Sequence, residues 1–444
     1  MTADIPSYSP EQVDIDPYSV PLDTLDVSNP HLFAADVHQA WFKRLRDEAP
    51  VHFCPEAETG PYWSVSRYQE IMEVDTSHEI YSSEPIILIR DPIDEFPLPM
   101  FIAMDPPRHD AQRNVVQPVV APANLRNFEP IIRERTVDVL DHLPVGEQFD
   151  WVSSVSIELT TRMLATLFDF PFERRANLTH WSDVSTAIPG MGLIETEEER
   201  QTILLGCLEE FTELWNQRVN APRSNDLISM LAHGEATRDM SPVEYLGNLV
   251  LLIVGGNDTT RNTMSASVLA LHENPEQFDK LVANQALIPG MVAETIRWQT
   301  PLAHMRRTVK VDTELGGKTI RAGEKVVMWY VSGNRDERAF DRPDDYIIDR
   351  PDVRKHLSFG FGIHRCMGNR LAELQLRILW EEILKRFQRI EVVGPPERVM
   401  SSFVHGYTRL PVILHACALE HGGNILAPFH AGLIVVGFGL VAIG

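Results

Sequence analysis

The stretch Phe359-Gly360-Phe361-Gly362-Ile363-His364-Arg365-Cys366-Met367-Gly368 constrains this chain more than any other. It sets one cysteine at the end of a glycine-jointed aromatic loop, directly ahead of a segment with helical apolar spacing. Gly360 and Gly362 permit a tight backbone path, and Gly368 lets a flat group approach the main chain. A thiolate at a helix N-terminus is favoured by the helix dipole and by N–H groups without intrahelical partners. Held this way, Cys366 serves as a nucleophile or as an axial ligand to iron. An inert core cysteine is the competing reading, and ten ordered positions speak against it.

The decapeptide resembles the haem-binding loop of the cytochrome P450 superfamily, with the Phe, both glycines, the basic residue, the Cys and the last Gly in place. The resemblance implies that Cys366 is the proximal thiolate of haem b. By the same resemblance His364 meets a haem propionate and Phe359 shields the sulfur. A thiolate pushes electron density through the iron and favours O–O cleavage.

The other cysteines (Cys54, Cys207, Cys417) are scattered without a C-x-x-C pair. That argues against a disulfide scaffold, a zinc site or an iron–sulfur cluster, and for a reducing, cytoplasmic compartment. A formal net charge of −23 disfavours nucleic acid as a partner, since phosphate binding needs a basic surface. No Lys or Arg precedes Lys43, so neither a signal peptide nor a transit peptide is expected. Residues 1–29, with Pro6, Pro10, Pro17 and Pro21, read as an extended arm, and residues 30–416 as one domain. Residues 417–444 form an atypical apolar tail. Its last twenty residues are uncharged and long enough to span a bilayer, but Pro428, His430 and four glycines weaken a span. The tail is expected to be foreign to the domain, and no stable membrane span is expected.

Most of the chain reads helical. Residues 244–272 are a long apolar run, and Leu371, Leu374, Ile378, Leu379, Ile383 and Phe387 recur at helix period. Residues 314–320 read as a hairpin and Val326 to Val331 as a strand. The expected class is mainly α (α+β), with a small β-rich region. The resemblance adds haem between the long central helix and the helix that follows Cys366.

Within the apolar run lies Gly255-Gly256-Asn257-Asp258-Thr259-Thr260. Two glycines in a helix interior cost about 1 kcal/mol each against alanine, so they need a reason: a closely approaching ligand or a helix crossing. A hydroxyl beside a carboxylate suits proton relay into a dry pocket. The segment matches the family's oxygen-activation motif, with Asp258 and Thr259 as its acid–alcohol pair and Gly255 and Gly256 beside the haem. Threonine bonding back to the preceding turn is expected to kink the helix there.

Glu294 and Arg297 stand one helical turn apart, which alone is an ordinary ion pair. They correspond to the family's Glu-x-x-Arg pair, with Arg350 as its third member, a scaffold for the haem loop. His109 and Arg113, four apart behind Pro106-Pro107, match the family's propionate-binding His-x-x-x-Arg. Arg306, five residues past Pro301, matches another propionate arginine.

Segments 101–107, 255–262 and 300–307 resemble the soluble bacterial alkane-hydroxylase group. The resemblance implies terminal hydroxylation of medium-chain alkanes or fatty acids with O2. A terminal C–H is stronger than its neighbours, so selectivity must come from a narrow apolar channel that presents only the chain end. Candidates for its walls are Leu251, Val254, Leu302, Ala303, Phe403, Val404, Ile87 and Leu88. No flavin or nicotinamide fingerprint is present, so a ferredoxin and its reductase are the implied electron donors. Arg113, Arg365, Arg370 and Arg377 form a candidate basic patch for an acidic redox partner. A terpene or other small hydrophobic substrate, a peroxygenase and a haem sensor are the alternatives.

Overall fold

The longest helix, Pro242–Glu273, starts where Ser241 accepts a hydrogen bond from the Glu244 N–H, with Pro242 in the first turn. A serine side chain that accepts an N–H of the first turn caps the helix, and proline tolerates that position because its missing N–H would have no partner. In this computed structural model, which describes residues 8–93 and 96–416, the helix passes from one apolar cluster into another. Its first half packs with Leu164, Phe168 and Phe211. Its second half packs with Met291, Leu379 and Trp380. Each large side chain so buried contributes about 1.5–3 kcal/mol. Between the two clusters, residues 255–263 form a polar belt, part of which is answered from outside the helix. Asn257 Oδ1 accepts from Thr160 Oγ1 at 2.9 Å, and Asn262 Oδ1 accepts from the Tyr407 N–H at 3.0 Å. Thr259 bonds back to the Gly255 carbonyl as expected.

The helix after the cysteine loop, Asn369–Arg386, buries Leu371, Ile378, Leu379 and Ile383 and ends before Phe387. Trp380 Nε1 on this helix donates to Ser267 Oγ of the central helix at 2.9 Å, joining the two.

Sheet is confined to small units. Five strands pair in the order 51–54, 62–65, 325–328, 305–309, 81–82, with one parallel pair, 62–65 against 325–328. The expected hairpin is there: 313–315 pairs with 318–320 across Gly316 and Gly317, both at positive φ, as a two-residue turn requires. The expected strand to Val331 stops at Met328, because Trp329 leads into the short helix Tyr330–Gly333. Strands 148–150, 411–416 and 387–392 form a second sheet.

Residues 25–29 are packed into the domain, not extended into solvent. Leu25 and Val27 are buried with Phe33 and Trp41, and the Leu25 carbonyl accepts from Cys54 Sγ on the neighbouring strand. The domain therefore includes part of the segment read as an arm. The apolar tail 417–444 lies outside the described residues. Among the described residues no helix is long and apolar enough to cross a membrane.

Candidate active site

The cysteine loop is shaped by two residues that only glycine satisfies. Gly360 and Gly362 have φ of 61° and 65°, and a Cβ on Gly362 would lie 2.5 Å from the Asp75 carbonyl. Asp75, at the end of helix Tyr68–Thr76, also accepts the Phe361 N–H at 2.7 Å. The Cys366 N–H donates to the Phe359 carbonyl at 2.7 Å, closing the loop. Burial pushes the Cys366 thiol up, against the pull of the Gly368 and Asn369 N–H groups and of Arg113 and Arg365. Cys54 and Cys207 are buried, whereas Cys366 opens onto a cavity of about 910 Å³.

Four of the basic side chains that line that cavity group together near Cys366: His109, Arg113, Arg307 and His364. Arg306 is not among them. Successive residues of a strand point to opposite faces, and strand Met305–Val309 turns Arg307 inward and Arg306 away. Arg307 Nη2 donates to Asp75 Oδ1 at 2.9 Å, while Arg306 Nη1 donates to Asp91 Oδ1 at 2.7 Å and to the Arg90 carbonyl. Arg307, one residue further along the strand, is thus the arginine that faces the cavity where Arg306 was expected to. Burial, together with Arg307, His109 and Arg113, pushes His364 down to about 2, and burial also lowers His109. The two rings lie 4.2 Å apart, and His109 Nε2 and His364 Nδ1 are buried without a partner. Two guanidiniums and two unpaired ring nitrogens beside an accessible thiol suit a flat group carrying paired carboxylates. Haem, with two propionates, fits these residues.

The acid–alcohol pair is split. Neighbouring helical residues are about 100° apart, so Thr259 faces the cavity and Asp258 faces its back wall. Thr259 Oγ1 donates to the Gly255 carbonyl at 3.0 Å. Asp258 is fully buried; its Oδ1 accepts from Ser182 Oγ at 2.8 Å and lies 3.1 Å from Arg261 Nη2, while Oδ2 has no partner. Burial raises the Asp258 carboxyl against the opposing Arg261 charge. The glycines divide too. A Cβ on Gly255 would meet open space, whereas one on Gly256 would lie 2.7 Å from Leu164 Cδ2. Gly256 therefore serves the close approach of helix Glu158–Phe168, although it borders the cavity.

Glu294, Arg297 and Arg350 come together in full burial. Arg297 Nε and Nη2 bond the Glu294 carboxylate at 2.8 Å each, and Arg350 Nε lies 3.1 Å from both of its oxygens. Arg297 Nη1 then donates to the carbonyls of Asn334 and Pro343. Asn334 continues the chain, with Nδ2 to Ser358 Oγ and Oδ1 accepting the Leu357 N–H. The network thus ends on the turn that carries Phe359.

Of the wall candidates, Leu251, Val254, Leu302, Phe403, Ile87 and Leu88 line the cavity. Ala303 and Val404 do not. Leu302 and Val404 form an isolated antiparallel bridge, and Ala303 packs instead with Trp329 in the neighbouring core. Phe359 and Gly368 border the cavity beside Cys366. Sequence reasoning missed Asp75 and Arg307. Two adjacent arginines carry no local signal of which one faces inward, and Asp75 ends an ordinary amphipathic turn.

The cytochrome P450 family profile matches residues 190–404. Linalool 8-monooxygenase of Pseudomonas putida is 34% identical over 402 residues, covering 88% of this chain and 98% of that protein. The methyl-branched lipid omega-hydroxylase of Mycobacterium tuberculosis is 30% identical over 413 residues, covering 89% and 96%. The solved structure of cytochrome P450-153 from Novosphingobium aromaticivorans superposes with a TM-score of 0.82 at 50% identity, covering 88% of this chain and 99% of that one.

Proposed function

Since the chain belongs to the cytochrome P450 family and is a monooxygenase of the bacterial type, we propose that it hydroxylates the terminal carbon of a medium-length aliphatic chain, an alkane or a fatty acid. The observation that carries this reading is the apolar cavity whose wall includes Leu251, Val254, Leu302 and Phe403 and which also contains Cys366. The relationship to a lipid omega-hydroxylase supports it. Haem b, ligated by Cys366, supplies oxygen activation when bound. One oxygen atom enters the substrate and the other leaves as water, with two electrons and two protons consumed. The wall residues orient the chain, so that the methyl is the C–H nearest the oxidant. Thr259 holds a proton at Oγ1 on the cavity side, and Asp258 is the buried acid behind it.

Thr259→Ala is expected to keep haem and substrate binding while diverting electrons to peroxide. Product per NADH should fall by about 100-fold, the low side of what a positioned proton-transfer group is worth. Unchanged product per NADH, with no extra peroxide, would remove Thr259 from proton delivery.

Electrons reach the site from a ferredoxin and its reductase. Arg365 and Arg370 are exposed beside the cysteine and suit an acidic partner. Arg377 does not join them, being paired with Glu129 and Glu381, and Arg113 lies inside the cavity.

A terpene is the second reading, favoured by the relative that acts on linalool. Enlarging the wall with Val254→Leu and Leu302→Phe discriminates. A misfit of one or more methylenes changes binding by about 1–3 kcal/mol. That is enough to shift chain length or the carbon attacked without unfolding the domain. Gas chromatography of products from hexane to dodecane and from linalool reads the result. Terminal products whose chain-length preference moves in the variants support the proposal. Turnover of linalool alone, or unaltered selectivity in both variants, would sink it.

A further inference from the structure

Part of the cavity wall is charged. Arg90 comes from the loop after strand Tyr81–Ser82, and Glu197 and Arg200 come from the first turn of helix Glu197–Val219; all three line the cavity. Arg90 Nη1 donates to Glu197 Oε1 at 3.1 Å, and Arg200 Nη1 lies 3.1 Å from Glu197 Oε2. One carboxylate is shared by two guanidiniums, leaving one positive charge in excess. Asp91, next to Arg90, does not offset it, because Arg306 and Lys325 already hold that carboxylate. Glu198 also borders the cavity but is exposed.

Arg200 is the informative member. It is only 4% exposed. Its Nη2 donates to the Ala187 carbonyl and Nη1 has only the Glu197 ion pair, while Nε is buried with no hydrogen-bond acceptor. Burial draws Arg200 down to about 9, and the charges acting on it are Arg90 and Glu197. Those acting on His364 are Arg307, His109, Arg113 and His78, so this group is separate from the cations beside Cys366. Leaving buried guanidinium N–H groups unpaired is costly, and an anionic oxygen would satisfy them.

A second cluster, exposed Asp36 with buried His38 and His405, offers less. Arg398 already pairs with Asp36, and Arg398 and Arg335 keep its surroundings positive, which opposes a metal cation.

We propose that Arg90, Glu197 and Arg200 form a receiving site for the carboxylate of a fatty acid, with Arg200 as its direct partner and the apolar wall holding the chain. The inference rests on the reading of this cavity as one for linear chains. The single excess charge matches a monoanion; a dianionic headgroup would leave negative charge against Glu197. A charge-assisted bond of this sort in a low-dielectric wall orients as well as binds, and it would turn the far methyl toward the oxidant.

The test compares dodecanoic acid with methyl dodecanoate, which has the same chain without the charge. Each is titrated into the haem-loaded protein by the spin-state difference spectrum. The wild type is expected to bind the acid about tenfold or more tightly than the ester, the scale of a hydrogen bond to a charged group. In Arg200→Gln and Arg90→Gln that preference should collapse toward unity, and Arg200→Lys should restore part of it. Because the readout is a ratio within each protein, a general loss of stability does not mimic it. Equal affinity for acid and ester in the wild type would overturn the proposal. So would a preference that survives Arg200→Gln; the cluster would then be only a latch between the loop and the helix. The position of the product hydroxyl reports separately on the terminal reading. Acid preference with internal hydroxylation leaves the carboxylate site standing and removes terminal attack. Terminal products from alkanes without acid preference do the reverse.

Discussion

Cys366→Ser is expected to give a folded protein that has lost the thiolate-type carbon-monoxide difference band and nearly all turnover. The exchange is small, and the side chain opens onto the cavity instead of filling the core, so no packing is lost. The loop-closing bond from residue 366 to the Phe359 carbonyl is made by the backbone and survives. What goes is the anion. The Gly368 and Asn369 N–H groups and the Arg113 and Arg365 charges favour a thiolate here, but the same surroundings cannot draw an alkoxide from serine near neutral pH. Residues that merely support a metal ligand are worth about 10- to 100-fold, so losing the ligand itself should cost more than about 100-fold. The measurements are the reduced carbon-monoxide spectrum and product formation with added ferredoxin and reductase. A variant that keeps the band near its original position would show that Cys366 is not the ligand.

Glu294→Ala is expected to be the most destabilising single change at the site. Removing the carboxylate leaves Arg297 and Arg350 side by side in the interior, where both are almost wholly inaccessible to water. Deleting one member of a buried ion pair typically costs about 3–5 kcal/mol, against a total stability of about 5–15 kcal/mol for a whole domain. The remaining guanidiniums keep their carbonyl partners on 334–345, so damage should spread along Asn334 to Leu357 and Ser358, the turn before the cysteine loop. Low soluble yield, a lower apparent urea midpoint and weaker haem retention are the expected results. A midpoint equal to that of the unaltered protein would mean that the network does not brace the loop.

The parts legible in the sequence are those whose geometry is set within a few residues. The cysteine loop is one. Its two positive-φ positions carry glycine, and a helix with regular apolar spacing follows at once. The glycine hairpin at 316–317 is another, because turn chemistry alone fixes that register. Glu294 and Arg297 were readable as a pair, since three residues along a helix bring side chains onto one face. Arg350 was reached through the resemblance, and the chain between them supplies the carbonyls that hold it.

The parts that were not legible depend on which face a residue presents. Asp258 and Thr259 are adjacent, yet only the packing of helix Ala176–Thr186, through Ser182, decides that the acid points behind the wall. Gly255 and Gly256 read alike and both border the cavity, but only Gly256 makes room for Leu164. Ala303 and Val404 differ from Leu302 and Phe403 by one position each and fall into the core.

By itself, then, the sequence determined the thiolate loop, the central helix with its polar belt, and the reading as a haem monooxygenase, because local spacing and backbone chemistry suffice for those. Tertiary structure alone decided that Arg307 and not Arg306 meets the site. It also brought Asp75 from more than two hundred residues away to hold both Arg307 and the cysteine loop. The same holds for Arg90, joined to Glu197 and Arg200 across the cavity wall. Side chains on a strand alternate with period two, and long-range ion pairs depend on how elements dock, so neither is encoded in any short window of residues.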